Sequence, residues 1–176
     1  MTIHSDHPFI PPPHERNQAR RLRGRLPAPV TLWTAIGEDG PAAWTVSSLL
    51  VADGEPPEVA GLLKESTDLY DAALASRRAA VTLLGEEHRH LADAAAELAP
   101  APGGIWRLAE FAQTEWGPVL AGRSWFGVRI VGTPELIGWN VLARGVIERI
   151  EIMDGSARGS DTLGVLRGRY RNWPFE

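Results

Sequence analysis

The 176-residue sequence contains no cysteine, and that single absence removes disulfides, thiolate metal sites, iron–sulfur clusters and cysteine nucleophiles. No apolar run is long enough to span a bilayer, and the opening "MTIHSDHPFIPPPHERNQ" lacks the continuous apolar core of a secretory leader. No membrane partner and a cytoplasmic location are expected. Positive charge is not in excess: at a formal net charge of −4 the chain lacks the phosphate attraction on which nucleic-acid binding rests, so no nucleic-acid partner is expected. A G-x-S-x-G elbow is missing, no histidine follows His90 to act as a base, and neither G-x-G-x-x-G nor G-x-x-x-x-G-K-[ST] occurs. Serine hydrolysis, a Rossmann nucleotide site and a P-loop are therefore unsupported. His88 and His90 stand two apart, a spacing that sends their rings to different sides of a helix. His4, His7 and His14 lie where no scaffold fixes their geometry, so no metal site is expected.

What is present is ordinary for a globular chain: 44% hydrophobic and 23% charged residues in a length that suits one domain. Residues 1–14, with a triple proline and little periodic hydrophobicity, read as a flexible N-terminal arm; residues 15–176 read as a single domain. "HERNQARRLRGRL" is a short basic helix whose Arg20, Arg21, Arg23 and Arg25 read as a solvated face in preference to a binding patch. "PVTLWTAI", the turn "GEDG" and "PAAWTVSS" make a hairpin that ends on Ser47 and Ser48 and runs into a turn. "EVAGLL", Glu58 to Leu63, is a third strand that begins after two prolines. A helix then starts at Ser66 or Thr67 with Asp68 and Asp71 in its first turn and a basic last turn.

"AAVTLL" is a buried strand and "EEHRHLADAAAELA" a second amphipathic helix stopped by "PAPGG". "WFGVRIVGTPELIGWNVLARGVIERIEI" reads as two long antiparallel strands joined near Thr133 to Gly138, and "LGVLRGRYRNW" as a short closing strand with a tail. Strands joined directly as hairpins, with helices inserted, predict a mainly β fold with α additions, an antiparallel barrel and not a doubly wound sheet. The remaining chemistry is that of hydroxyls. Ser47 and Ser48 end one strand, and Lys64, Ser66 and Thr67 open a helix after the next, where free backbone N–H groups favour an anion. Helix capping and turn formation explain the same residues about equally well, and Glu65 and Asp68 oppose an anion beside them.

The order of a leading basic helix, "VTLWTA", "GPAAWTVSSLL", "EPPEVAGLLKESTDLYDAAL", "AAVTLL" and a closing "RGRYR" resembles the flavin reductase family of FMN-binding split-barrel proteins, over Gln18 to Arg171. The resemblance implies a homodimer of antiparallel split β-barrels that binds FMN, or FAD, near the subunit interface. NAD(P)H would be the reductant, and reduced flavin would pass to a partner monooxygenase. Matching the motifs, Trp44, Thr45, Val46, Ser47 and Ser48 would line the flavin, Lys64, Ser66 and Thr67 would meet its phosphate, and Asn140 and Arg169 would reach the flavin or nicotinamide. No catalytic acid, base or nucleophile is named, since the flavin carries the redox chemistry. Three features depart from the family pattern: the pair Trp139 and Asn140 stands where a histidine is common, Thr82 stands for asparagine, and Trp44 is bulkier than usual. Asn140 does not titrate near neutral pH as histidine does. These departures keep open a non-catalytic barrel holding FMN, a deazaflavin or haem. The seven tryptophans read as core or interface anchors before cofactor stackers, Trp44 and Trp139 being the two of most interest.

Overall fold

The computed structural model describes residues 17–153 and 162–173, and the N-terminal arm with His4, His7 and His14 lies outside the described residues. In chain order the elements are α1 (Gln18–Arg23), β1 (Ala28–Pro29), β2 (Thr31–Gly37), β3 (Gly40–Val46), β4 (Leu49–Ala52) and β5 (Glu58–Leu63). They continue with α2 (Asp68–Ser76), β6 (Arg78–Leu83), α3 (Arg89–Ala95), β7 (Phe111–Ala112) and β8 (Val119–Leu120). The chain closes with β9 (Trp125–Ile137), β10 (Asn140–Glu151), β11 (Thr162–Leu166) and β12 (Arg169–Trp173).

Seven strands form one antiparallel sheet in the order β3-β2-β6-β9-β10-β5-β4. Its two edge strands, β3 and β4, are consecutive in the chain and separated only by Ser47 and Ser48, so the sheet must curl until its edges meet. The expected turn after the twin serines is thus a two-residue break: the strand resumes at Leu49 because its hydrogen-bonding partner changes from β2 to β5, with Leu49 opposite Gly61. Leu62 N–H donates to the Ser48 carbonyl at 2.9 Å and holds that transfer.

Strand alternation sends side chains to two cores. On β2, Trp33 and Ala35 enter the curl of the sheet with Val59, Leu63, Val81 and Val128, while Leu32 points outward to Leu84, Leu91, Ala92, Leu120 and Leu163. α2 packs Leu69, Ala72 and Ala73 into the first core, and α3 packs Leu91, Ala92 and Ala95 into the second. A three-stranded sheet, β1-β11-β12, flanks the second core, and the Tyr170 hydroxyl donates a short hydrogen bond to Asp93 that ties β12 to α3. Burial and that carboxylate both hold the Tyr170 phenol well above the ordinary tyrosine range.

Four element boundaries differ from the sequence expectation. The long hairpin turns on Gly138 and Trp139 alone, at the end of the expected Thr133–Gly138 stretch: pairing runs on to Asn140 opposite Ile137, and Gly138 supplies the positive φ of +61°. "LGVLRGRYRNW" is a complete hairpin, β11 and β12, turned by Arg167 and Gly168. The second helix is a 3₁₀ turn at Glu86–His88 followed by the seven residues of α3, ended by Glu97 at φ 58°. α2 has no basic last turn, because Arg77 takes a left-handed conformation at the cap and Arg78 already begins β6.

Gly61 is required by the first core. A Cβ there would lie 2.9 Å from both Cη2 and Cζ2 of Trp33, which is fully buried. Gly61→Ala should therefore cost about 1–3 kcal/mol as an overpacked core. A calorimetric melt should show Tm falling by several degrees, and an unchanged Tm would contradict this packing.

His88 gives the fold a pH dependence. Burial lowers its pKa, Glu87 opposes that, and Arg123 reinforces it. The neutral ring accepts the Gly85 N–H at Nδ1, 3.3 Å away. Because the folded value is depressed, the unfolded chain binds the extra proton first. Stability is then fullest above the unfolded pKa of about 6.5 and is lost as pH falls below it. Melting curves between neutral and mildly acid pH should show a smaller acid-induced loss in His88→Asn than in the wild type.

Candidate functional site

Beside the Ser47–Ser48 crossing lies a groove of about 990 Å³, at the upper end of the range typical for small-molecule sites. Its floor is the outward side of the sheet, Leu50, Ala60, Leu62 and Leu142, joined by Leu26 and Val165. Alternation explains the floor: Val59, Gly61 and Leu63 of β5 face inward and are buried, leaving Ala60 and Leu62 half-buried on the other face. The polar rim consists of Ser47 and Ser48 and of five arginines, Arg20, Arg21, Arg23, Arg25 and Arg167. No carboxylate lines the groove among the described residues, and none of the five arginines forms an ion pair there.

α1 reaches this position by local rules. Asn17 caps it, accepting the Arg20 N–H at 3.1 Å, and its last turn closes through Gly24 N–H to the Arg20 carbonyl. The Arg167 N–H donates to the Gly24 carbonyl at 2.6 Å, fastening the β11–β12 turn to the end of α1.

The structure divides the ten residues expected from the sequence. Ser47 and Ser48 line the groove, and among the described residues neither hydroxyl has a protein partner. Val46 is buried in the first core, its carbonyl accepting the Thr31 hydroxyl at 2.6 Å. Trp44 packs on the same core and carries the Lys64 ammonium over its ring at 5.0 Å, a cation–π contact. Thr45, one residue on, faces the other way and donates to the Ala92 carbonyl at 2.8 Å.

Lys64, Ser66 and Thr67 follow β5 as expected, yet none lines the groove. Ser66 is exposed, while Thr67 is buried and is the N-cap of α2. Its hydroxyl donates to the Lys64 carbonyl at 2.8 Å and accepts the Tyr70 N–H at 3.3 Å. Asn140 opens β10 at the hairpin tip beside Trp139, whose side chain is 87% exposed. Arg169 opens β12 outside the groove, two residues past Arg167, which is inside it.

The arginines are the residues that sequence reasoning set aside. The signals were visible as "ARRLRGR" and "VLRGRYR", but nothing local says that two basic stretches some 140 residues apart meet at one hollow. The arrangement suits an anionic ligand with an apolar, flat portion: the floor takes the flat part, hydroxyls and guanidinium groups take the anion. That chemistry fits a nucleotide phosphate. Among the described residues no three His, Asp or Glu side chains are placed to hold a metal ion, and no helix is long and apolar enough to cross a membrane.

Thr67 provides a check on the start of α2. Thr67→Ala should lower stability by about 1 kcal/mol through loss of the cap, and Thr67→Ser should recover most of it. Equal melting temperatures for all three proteins would show that the cap is not holding α2.

Comparison with known proteins places these observations in a family. Residues 23–174 match the model for the flavin reductase like domain. The chain is 29% identical over 152 residues to an NADH:FMN oxidoreductase of Rhodococcus qingshengii, covering 83% of this chain and 76% of that protein. Its fold is that of a nitrilotriacetate monooxygenase component B homolog from Mycobacterium thermoresistibile, with a TM-score of 0.77 at 19% identity over 89% of this chain and 85% of the other. It is equally that of the styrene monooxygenase flavin reductase from Pseudomonas putida S12, with a TM-score of 0.74 at 19% identity over 89% and 98%.

Proposed function

This chain belongs to the flavin reductase like domain family, and from that premise we propose that it is an NAD(P)H-dependent flavin reductase that uses FMN and supplies reduced flavin to a partner monooxygenase. The observation that carries this reading is the pair of hydroxyls, Ser47 and Ser48, without a partner among the described residues, on the rim of an apolar-floored, arginine-lined groove. Bound flavin supplies the two-electron chemistry, accepting hydride from the nicotinamide.

The residues of the chain bind and orient. Ser47 and Ser48 donate hydrogen bonds to the polar edge of the ligand, and Lys64, held over the Trp44 ring, adds a cation at the end of β5. Ser66 and the first-turn N–H groups of α2 offer a phosphate contact, with Thr67 fixing the geometry of that turn from beneath. Asn140 and Arg169, at the starts of β10 and β12, are the polar groups this reading offers to a nicotinamide or flavin edge. No side chain is asked to transfer a proton.

Water exclusion falls to a second copy of the chain. Leu50, Leu136 and Trp139 are 76%, 74% and 87% exposed, an apolar set continuous with the groove through Ile137, and a homodimer on this face would bury it. Residues 15–176 act as one domain in this reading.

The test is titration of the purified protein with FMN, then with NADH or NADPH under anaerobic conditions. FMN should be taken up and its visible absorbance bleached by at least one coenzyme. Absence of FMN-dependent oxidation of both coenzymes removes the reductase reading, and uptake without turnover makes the chain a non-catalytic flavin holder.

A further inference from the structure

Resting on the reductase reading, the geometry points to a coenzyme preference: we propose that the arginine groove binds the phosphates on the adenosine half of the nicotinamide coenzyme and favours the form carrying a 2′-phosphate. Three observations carry this. Five guanidinium groups, from α1, its C-terminal extension and the β11–β12 turn, surround one hollow with no carboxylate in its lining among the described residues. Five like charges repel, and bringing them together costs stability that an anion would return. In a chain of net charge −4, a basic cluster of this kind is not a reflection of overall composition.

The second observation is the backbone of Arg167. It and Gly168 are the two central residues of the β11–β12 turn, at φ 53° and 70°, the all-positive pattern of a type I′ turn. Asn and Gly are the residues that adopt this first position at least cost, whereas an ordinary side chain there is disfavoured. The chain accepts that local penalty at the one turn residue that places a cation in the groove. Its N–H bond to the Gly24 carbonyl then fixes Arg167 against the end of α1, so the two basic segments form one site.

The third observation is the pairing of many guanidinium groups with an apolar floor. Guanidinium groups bind phosphate through paired N–H donors, and more phosphate oxygens engage more of them. A coenzyme with a pyrophosphate alone leaves part of a five-arginine rim unused. A 2′-phosphate adds a further dianion, and the apolar floor of Leu26, Leu50 and Leu62 offers a surface on which an adenine ring can lie.

The experiment uses the full chain without flavin and two probes, adenosine 2′,5′-bisphosphate and adenosine 5′-monophosphate, followed by titration calorimetry. The bisphosphate should bind at least about ten-fold more tightly, and its affinity should fall steeply with added salt. Arg167→Asn places a residue suited to the turn in the same position, so its Tm should hold or rise while the ten-fold preference is lost. Arg21→Ala, on the exposed face of α1, should lose it as well. With FMN saturating, the ratio of kcat/KM for NADPH to that for NADH should exceed about ten in the wild type and move toward one in both variants.

Equal binding of the two nucleotides, or a preference that survives both substitutions, overturns the inference. The two readings fail separately. An active reductase that uses NADH and NADPH alike removes the preference and keeps the activity. A protein that binds the bisphosphate through Arg167 yet reduces no flavin keeps the groove and removes the activity.

Discussion

The crossing at Ser47 and Ser48 is the constraint on which the rest of this structure depends. An antiparallel sheet has two edges with unpaired backbone groups, and here a single chain segment serves both: β3 closes one side against β2 and β4 closes the other against β5. A two-residue gap is too short to let the edges drift apart, since consecutive Cα atoms are only about 3.8 Å apart. The curl of the sheet follows, and with it the separation of inside from outside. At the crossing itself the two residues leave one ladder before they are fully held by the next, so their hydroxyls stay available.

Curling makes β2 a strand buried on both faces. Its side chains alternate between the two cores, Trp33 inward and Leu32 outward, and the two hydroxyls that flank them find carbonyls to serve as acceptors. Thr31 donates to Val46, and Thr34 donates to Pro118 at 2.6 Å. The interior of the curl is narrow enough that a single indole reaches across it to the backbone of β5 at Gly61. The residue opposite the indole must then lack a side chain, and the strand that carries this glycine also supplies the groove floor from its other face through Ala60 and Leu62. Packing inside the barrel and ligand surface outside it are thus fixed by the same six residues of β5.

Much of this was legible in the sequence wherever the cause is local. "EVAGLL" predicts β5 with both ends correct because two prolines and a helix cap bracket it, and α2 begins within a residue of expectation because Thr67 is a good N-cap. The reading of "SSLLVA" as a turn fails because the partner that makes Leu49–Ala52 a strand, β5, is not a neighbouring pattern in the chain. The site shows the same limit. Twin hydroxyls at a strand end stand out by type, whereas Arg20, Arg21, Arg23 and Arg25 look like any solvated helix face until the C-terminal turn is hydrogen-bonded onto Gly24. Arg167 passes unnoticed beside Arg169 for a similar reason: only when β11 and β12 pair does residue 167 become the turn residue that enters the groove.

Charge distribution joins the fold to its chemistry. The net charge of −4 includes the five arginines of the groove, so the remainder of the chain carries −9. A generally acidic body repels anions, and a concave basic site with an apolar floor concentrates the field where it opposes that repulsion. A dianionic ligand would therefore be drawn to one place on the surface, and the same contrast would keep two acidic bodies apart except at an apolar face. The exposed Leu50, Ile137 and Trp139 stand along that boundary. Because Leu50 and Ile137 also line the groove, any second chain that covered them would meet the groove as well.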